Sequence, residues 1–249
     1  DGVIRTETNL PFVPDGEGNL AWRAAKLLLD EKGIKDGVTI KIRKYIPVAA
    51  GMAGGSTDAA AVLVGVNRMF DLGFTKKELM ERGVKLGADV PYCIMRGTAL
   101  SEGIGEILTE LPAPPQCHLV IAKPQISVST KAVYGKLRVN ELAPEEHPDI
   151  DGMMAAIKNG DLDGAIERLG NVLETVTVPD HPEIAEIKEI MVENGACGSL
   201  MSGSGPTVFG IYKDRELAEK ACQALREADG GRLTRQVYLT EFYNRKKAR

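Results

Sequence analysis

The sequence predicts an α+β protein of two domains, and three observations carry that expectation. Strand-type and helix-type hydrophobic periodicities occur in mixed order rather than in the strict alternation of a doubly wound sheet. The stretch LPAPPQ, residues 111–116, places three prolines in six residues, which discourages both helix and central strand. A chain of 249 residues that is 43% hydrophobic is long enough for one large or two modest cores. The boundary is therefore set in the proline-rich stretch, giving domains of residues 1–115 and 116–249.

Along the chain, the opening DGVIRTETNLPF gives one alternating apolar signal at Val3, with no helix or turn punctuation before it. Asn19 then caps LAWRAAKLLLDEKG, where Trp22, Ala25, Leu28 and Leu29 share a helix face and Gly33 is the stop. In GVTIKIRKYIP the residues Val38, Ile40 and Ile42 alternate with polar partners until Pro47, a strand pattern. A glycine- and alanine-rich loop follows, and TDAAAVLVGVNRMF has the period and small-residue density of a buried helix. A further helix is capped by Thr75, and short extended pieces fall at 98–100 and 106–108. Beyond the prolines, HLVIAKP reads as a strand, 129–137 as a short helix, 151–174 as two helical runs broken near Gly160, and 182–193 as a helix. Strands at 198–201, 207–212 and 236–242, with a helix at 215–228, complete the pattern. The basic tail RKKAR reads as a solvated end.

Composition excludes several classes. A net charge of −4 provides no basic field for nucleic acid or an anionic membrane surface. No apolar run has the length of a membrane span and no signal-peptide pattern opens the chain, so a cytoplasmic location is expected. Cys93, Cys117, Cys197 and Cys222 are scattered singly, and His118, His147 and His181 form no ligand pattern with them. Reduced packing thiols, and no protein metal site, are expected.

The segment PVAAGMAGGSTDAA, residues 47–60, carries the most chemistry. Glycines 51, 54 and 55 strip side chains from a loop that empties into a helix, where free N–H groups and the helix dipole make an anion site. Ser56 and Thr57 add hydroxyls for phosphate or a phosphate-bound Mg²⁺, and Asp58 is expected in the first helical turn. A plain glycine turn with Ser56 or Thr57 as N-cap fits the same residues. The segment matches neither GxxxxGK[ST] nor GxGxxG. A second cluster, LMSGSGPTVFGIY, sets Gly203, Ser204 and Gly205 between two strands; a hairpin turn explains it equally well taken alone, but two such clusters in one chain are harder to dismiss. Asp89, in LGADVPYC, lies after a helix and before Pro91. There it either accepts a hydroxyl proton during phosphoryl transfer or acts as a capping or turn residue.

PVAAGMAGGSTDAA resembles the phosphate-binding motif of the GHMP kinases, and LMSGSGPTVFG resembles their C-terminal glycine motif. LGADVPYC, GTALSEGIGEIL, AKPQISVSTKAVY and GNVLETVT are similar to the branch of that superfamily acting on a cytidine diphosphate-linked methylerythritol. The resemblance spans nearly the whole chain. It implies a two-domain GHMP kinase fold, with an N-terminal domain like ribosomal protein S5 domain 2, a ferredoxin-like C-terminal domain and the active site in the cleft between them. It implies an ATP phosphate loop of Pro47, Val48, Ala49, Ala50, Gly51, Met52, Ala53, Gly54, Gly55, Ser56 and Thr57, with Mg²⁺ accompanying the nucleotide. Asp89 becomes the catalytic base. Thr130 lies near the phosphates or substrate, and Gly203, Ser204 and Gly205 shape the floor beneath the substrate or support the phosphate loop from behind. Asn19 matches an asparagine close to the nucleotide, with simple capping equally open. The implied partner is a small-molecule substrate, with no nucleic acid or membrane, in a monomer or homodimer. The family pattern also has about 45 preceding residues, read against the size of a complete domain. They carry an AKINL-like strand with a catalytic lysine and a DGYH-like stretch, neither of which occurs here, so the expectation is either an N-terminally incomplete chain or a protein that has lost half of its catalytic pair. The rival readings are another GHMP kinase of homoserine or mevalonate type, a non-catalytic nucleotide binder, and a ligand-free glycine-rich protein.

Overall fold

A computed structural model describes residues 2–243, so the basic tail lies outside the described residues. The chain forms two compact units, one of residues 1–48 and 53–110 and the other of residues 49–52 and 111–249.

In the first unit, strand β1 (Ile4–Thr8) pairs in parallel with β2 (Val38–Ile42), Ile4 opposite Val38 and Thr8 opposite Ile42. Parallel neighbours need a crossover, supplied by helix α1 (Leu20–Glu31). The Trp22 indole N–H donates to Ile4 O at 3.1 Å, tying the helix to the strand. Trp22 is only half-buried, and Ala21 and Ala24 join Ala25, Leu28 and Leu29 on the buried face, which is wider than the sequence pattern suggested. Past Glu31 the chain turns at Gly33 with φ +64°, while Ile34 N–H returns to Leu29 O at 2.9 Å, a glycine stop that closes orphan carbonyls.

Helix α2 (Gly54–Met69) buries Ala59, Ala60, Leu63 and Val66 in a core shared with the alanines and leucines of α1. Helix α3 (Lys76–Val84) opens with a full capping box, Thr75 with Glu78. Just before it, two cations stand over the Phe74 ring, Arg82 at 4.0 Å and Lys32 at 4.4 Å from its centroid. Arg82 also binds Glu31 through both carboxylate oxygens, Nε to Oε2 at 2.9 Å and Nη2 to Oε1. That hydrogen bond holds the Glu31 carboxyl below its ordinary 4.5. A carboxylate so lowered stabilises the fold above the ordinary value and stops doing so as pH falls through the lower folded value. Arg82→Met is therefore expected to lower the urea midpoint at pH 7, with the gap from the parent shrinking below about pH 4.5 as Glu31 protonates in both.

Helix α4 (Val90–Met95), with Pro91 in its first turn, and the paired strands β3 (Thr98–Glu102) and β4 (Ile107–Leu111) follow. The sequence pattern treats 88–95 only as a junction; six residues are too few to show a period, and proline signals a start here rather than a break. No regular element occupies residues 112–117.

The second unit runs β5 (His118–Pro124), α5 (Thr130–Lys136), α6 (Ile150–Asn159), α7 (Leu162–Glu167), α8 (Glu174–Asp180), α9 (Glu183–Glu193), β6 (Gly198–Met201), β7 (Val208–Tyr212), α10 (Arg215–Glu227) and β8 (Thr234–Glu241). The four strands form one antiparallel sheet in the order β6-β7-β5-β8, the split β-α-β arrangement of ferredoxin-like domains. One face buries Val120, Ala122, Val208 and Tyr212 under Ile184, Ile187 and Met191 of α9 and Ala218, Ala221 and Leu225 of α10. Each such Leu or Ile contributes roughly 1.5–3 kcal/mol by burial. The other face packs Leu119 and Ile211 with Phe209, Ile166 and Leu169. The helical run expected to reach Glu174 stops at Glu167, and a separate α8 begins at Glu174 with Pro179 inside it, a residue that masks a helix from pattern reading.

Candidate active site

Helix α2 starts three residues earlier than expected from TDAAAV, at Gly54, with Ala53 as N-cap and no side chain capping it. A helix N-terminus always leaves unpaired N–H groups, and here glycines 54 and 55 keep them clear of side chains. The loop that delivers them is contorted: Ala49 (φ 52°) and Ala53 (φ 48°) are left-handed as well as Gly51 (φ 67°). Non-glycine residues held there store strain, which clusters at binding sites. Asp58 is the fifth residue of the helix, not part of its first turn as expected. Its Oδ2 instead accepts from Lys44 Nζ at 2.7 Å.

Lys44, which pattern reading passed over, stands at the same helix start. Its side chain is 7% exposed. Asn9 fixes its backbone, Oδ1 accepting from Lys44 N–H at 2.7 Å and Nδ2 donating to Lys44 O at 3.3 Å. A Cβ placed on Gly54 would lie 3.3 Å from Nζ, so the ammonium stands beside the helix start. The only trace in the sequence is a basic pair, Arg43 and Lys44, just ahead of the glycine loop.

Asp89 is the N-cap residue of α4, yet its carboxylate makes no capping hydrogen bond and is exposed. The capping alternative therefore has no bond to support it. One turn on, Cys93 N–H donates to Asp89 O at 3.0 Å, and Cys93 Sγ lies 3.5 Å from Thr57 Oγ1. Thr57 Oγ1 donates to Ala53 O at 3.0 Å. On the other side of Asp89, a Cβ on Gly87 would stand 4.0 Å from Ser56 Oγ. The starts of α2 and α4 thus meet through Thr57 and Cys93 and through Ser56 and Gly87, with Asp89 between Gly87 and Cys93 in the chain. Burial pushes the Cys93 thiol up, only partly opposed by its Thr57 hydrogen bond, and the Asp89 charge raises it further, so it stays a neutral thiol.

The second unit gathers Gly51, Thr130 and the 203–205 glycine cluster, whereas Asn19 stays in the first unit. Gly51 O accepts from Ser202 Oγ at 2.8 Å. Thr130 Oγ1 and Ser204 Oγ, 5% exposed as a residue, are 2.8 Å apart, while Gly203 (φ 56°) and Gly205 (φ 86°) bend the loop between β6 and β7. Asn19 is buried and both ends of its amide are engaged, Oδ1 accepting from Ala21 N–H at 2.9 Å and Nδ2 donating to Pro14 O at 2.7 Å. The four cysteines are free thiols. Cys117 and Cys222 are buried, with burial pushing Cys117 up to about 11, whereas Cys197 is exposed and so is no packing residue. Among the described residues, no cluster of three or more His, Cys, Asp and Glu side chains forms a metal site, and no helix is long and apolar enough to cross a membrane.

A ferredoxin-like domain, together with a glycine loop opening an uncapped helix beside an uncommitted aspartate, defines the class of GHMP kinases. Residues 19–97 match the model of the GHMP kinases N terminal domain and residues 153–230 that of the GHMP kinases C terminal. The 4-diphosphocytidyl-2-C-methyl-D-erythritol kinase of Lachnospira eligens is 52% identical over 240 residues, 96% of this chain and 82% of that protein. A crystal structure of 4-(cytidine 5'-diphospho)-2C-methyl-D-erythritol kinase superimposes with a TM-score of 0.77 at 31% identity, covering 96% of this chain and 82% of that one. The homoserine kinase of Cytophaga hutchinsonii reaches a TM-score of 0.81 over 97% of this chain and 82% of its own, but at 20% identity it shares the fold alone. The chain belongs to the 4-diphosphocytidyl-2-C-methyl-D-erythritol kinase family, and is an alcohol phosphotransferase.

Proposed function

We propose that the chain transfers the γ-phosphoryl group of ATP to the 2-hydroxyl of 4-diphosphocytidyl-2-C-methyl-D-erythritol, releasing ADP, as a cytoplasmic step of non-mevalonate isoprenoid synthesis. One observation carries the chemistry: the free aspartate Asp89 stands, through Cys93 and Gly87, beside the hydroxyls of Thr57 and Ser56 at an uncapped glycine helix start. The N–H groups of Gly54, Gly55 and Ser56 bind phosphate oxygens, with Lys44 adding a cation and residues 47–53 shaping the approach. Asp89 takes the proton as the substrate oxygen bonds to phosphorus and the bond to the ADP oxygen breaks, in line and without a phospho-enzyme. Thr130, Gly203, Ser204 and Gly205 serve the substrate or its phosphates, and Asn19 fixes α1 near the nucleotide.

The donor set suits Mg²⁺, which takes ligands mainly from phosphate and water, with the Ser56 and Thr57 hydroxyls to hand. When bound, that ion neutralises phosphate charge. A two-domain division at residues 115 and 116 is supported by the parting of the compact units between Glu110 and Leu111 and by the irregular run that follows.

The test is phosphate transfer from ATP to 4-diphosphocytidyl-2-C-methyl-D-erythritol, followed by mass spectrometry of the product, beside homoserine and mevalonate as acceptors. A product heavier by one phosphate with the cytidyl substrate alone is expected; transfer only to another alcohol sinks the substrate assignment. Lys44→Gln is expected to raise the KM for ATP about tenfold, the worth of one charge-assisted hydrogen bond, with less effect on the KM for the alcohol. Initial rates against each substrate check it.

A further inference from the structure

Three side chains at the entry to α8 end on the backbone of a single loop. Asn171 Nδ2 donates to Met201 O at 2.9 Å and to Gly203 O at 2.8 Å. Glu174 Oε1 accepts from Met201 N–H at 2.7 Å. Thr177 Oγ1, on a residue 1% exposed, donates to Ser204 O at 3.3 Å. Each of the three is itself fixed or enclosed. Asn171 Oδ1 accepts from Leu173 N–H at 3.0 Å, and Glu174 Oε2 binds Lys188 Nζ of α9 at 2.6 Å.

Met201 is the last residue of edge strand β6, where a strand would ordinarily leave its outward groups to water. Here both its N–H and its C=O receive side-chain partners instead. The loop beyond contains Gly203 and Gly205, residues with the most conformational freedom to lose, so its shape has to be imposed from outside. From that loop one bond goes further, Ser202 Oγ to Gly51 O, at the tip of the first glycine loop.

We infer that Asn171, Glu174 and Thr177 are positioning residues for nucleotide binding: they clamp residues 201–205, which through Ser202 set the tip of the phosphate loop at residues 49–52. The inference rests on the reading of residues 47–57 as the ATP loop. It assigns a task to the run GNVLETVT, which neither binds nor reacts in the mechanism above.

Asn171→Asp is the discriminating variant, because it keeps the acceptor for Leu173 N–H but turns an oxygen toward two carbonyls. Amide hydrogen exchange at 201–205 and at 49–52 is expected to quicken at least tenfold, and the dissociation constant for ATP to rise about tenfold, the worth of one or two hydrogen bonds. Thr177→Val is expected to act in the same direction and Thr177→Ser to restore parental values. Should Asn171→Asp not fold, Thr177→Val against Thr177→Ser decides, together with Ser202→Ala, which is expected to loosen 49–52 alone. Unchanged exchange in 49–52 while 201–205 loosens overturns the inference, as does unchanged ATP affinity when both loosen. If the parent binds no ATP, the nucleotide reading fails, and with it the positioning role; the exchange data then still report separately whether the clamp exists.

Discussion

Replacing Asp89 by asparagine is expected to lower kcat for phosphate transfer by about 10² to 10⁴, the range a positioned general base contributes. The substitution preserves shape and removes only the proton acceptor. Because the Asp89 carboxylate makes no capping hydrogen bond and faces solvent, the fold has little to lose. Stability should stay within about 0.5 kcal/mol of the parent, as for ordinary surface changes. ATP affinity should also hold, since the proposed phosphate site is the start of α2, not Asp89. Steady-state rates, a melting curve and ATP titration together check this. A kcat within a few-fold of the parent would remove Asp89 from the reaction. Asp89→Ala supplies a control on the capping alternative: a lost N-cap costs about 1 kcal/mol, and no such loss is expected.

Gly51→Ala is the second change with a large effect. Gly51 has φ +67°, and a Cβ there would stand 2.4 Å from Ser202 O and 3.0 Å from Gly205 O. Both obstacles are backbone atoms and cannot rotate aside. The left-handed conformation alone costs an alanine about 1–2 kcal/mol, so either the tip or the 202–205 loop must shift and the Ser202–Gly51 bond breaks. ATP affinity is expected to fall at least about tenfold, equivalent to 1.4 kcal/mol. Isothermal titration and a melting curve would show it. Gly16→Ala is the matched control, since a Cβ there meets nothing within 4 Å and its φ is ordinary. Equal behaviour of the two variants would show that the approach of Gly51 to Ser202 is unimportant.

Much of this architecture was legible from local pattern. The alternation in HLVIAKP, the capping box at Thr75 and the single face of α10 each report an element through its own residues. The glycine loop was legible as an approach to a helix start, but a plain glycine turn fitted the same residues equally well. What escaped was non-local or too short for a period. Helix α4 has six residues and α8 hides a proline. Lys44 gains meaning only from Asp58, 14 positions on, and Asn171 only from Met201 and Gly203, 30 and 32 positions on. Asn19 was readable as a cap, and its Oδ1 bond from Ala21 N–H bears that out, while nothing local distinguishes a cap from a residue that also approaches a nucleotide.

The bond from Ser202 to Gly51 joins residues 151 positions apart. During synthesis at about 5–20 residues per second, the first glycine loop leaves the ribosome roughly 8–30 s before the residue that holds its tip. Throughout that interval the helices of the first unit have their own core, but the nascent chain lacks the partner that completes its loop. On the reading of residues 47–57 as the ATP loop, a nascent chain that ends before Ser202 is expected to hold ATP less tightly than the complete chain, because nothing yet fixes Gly51.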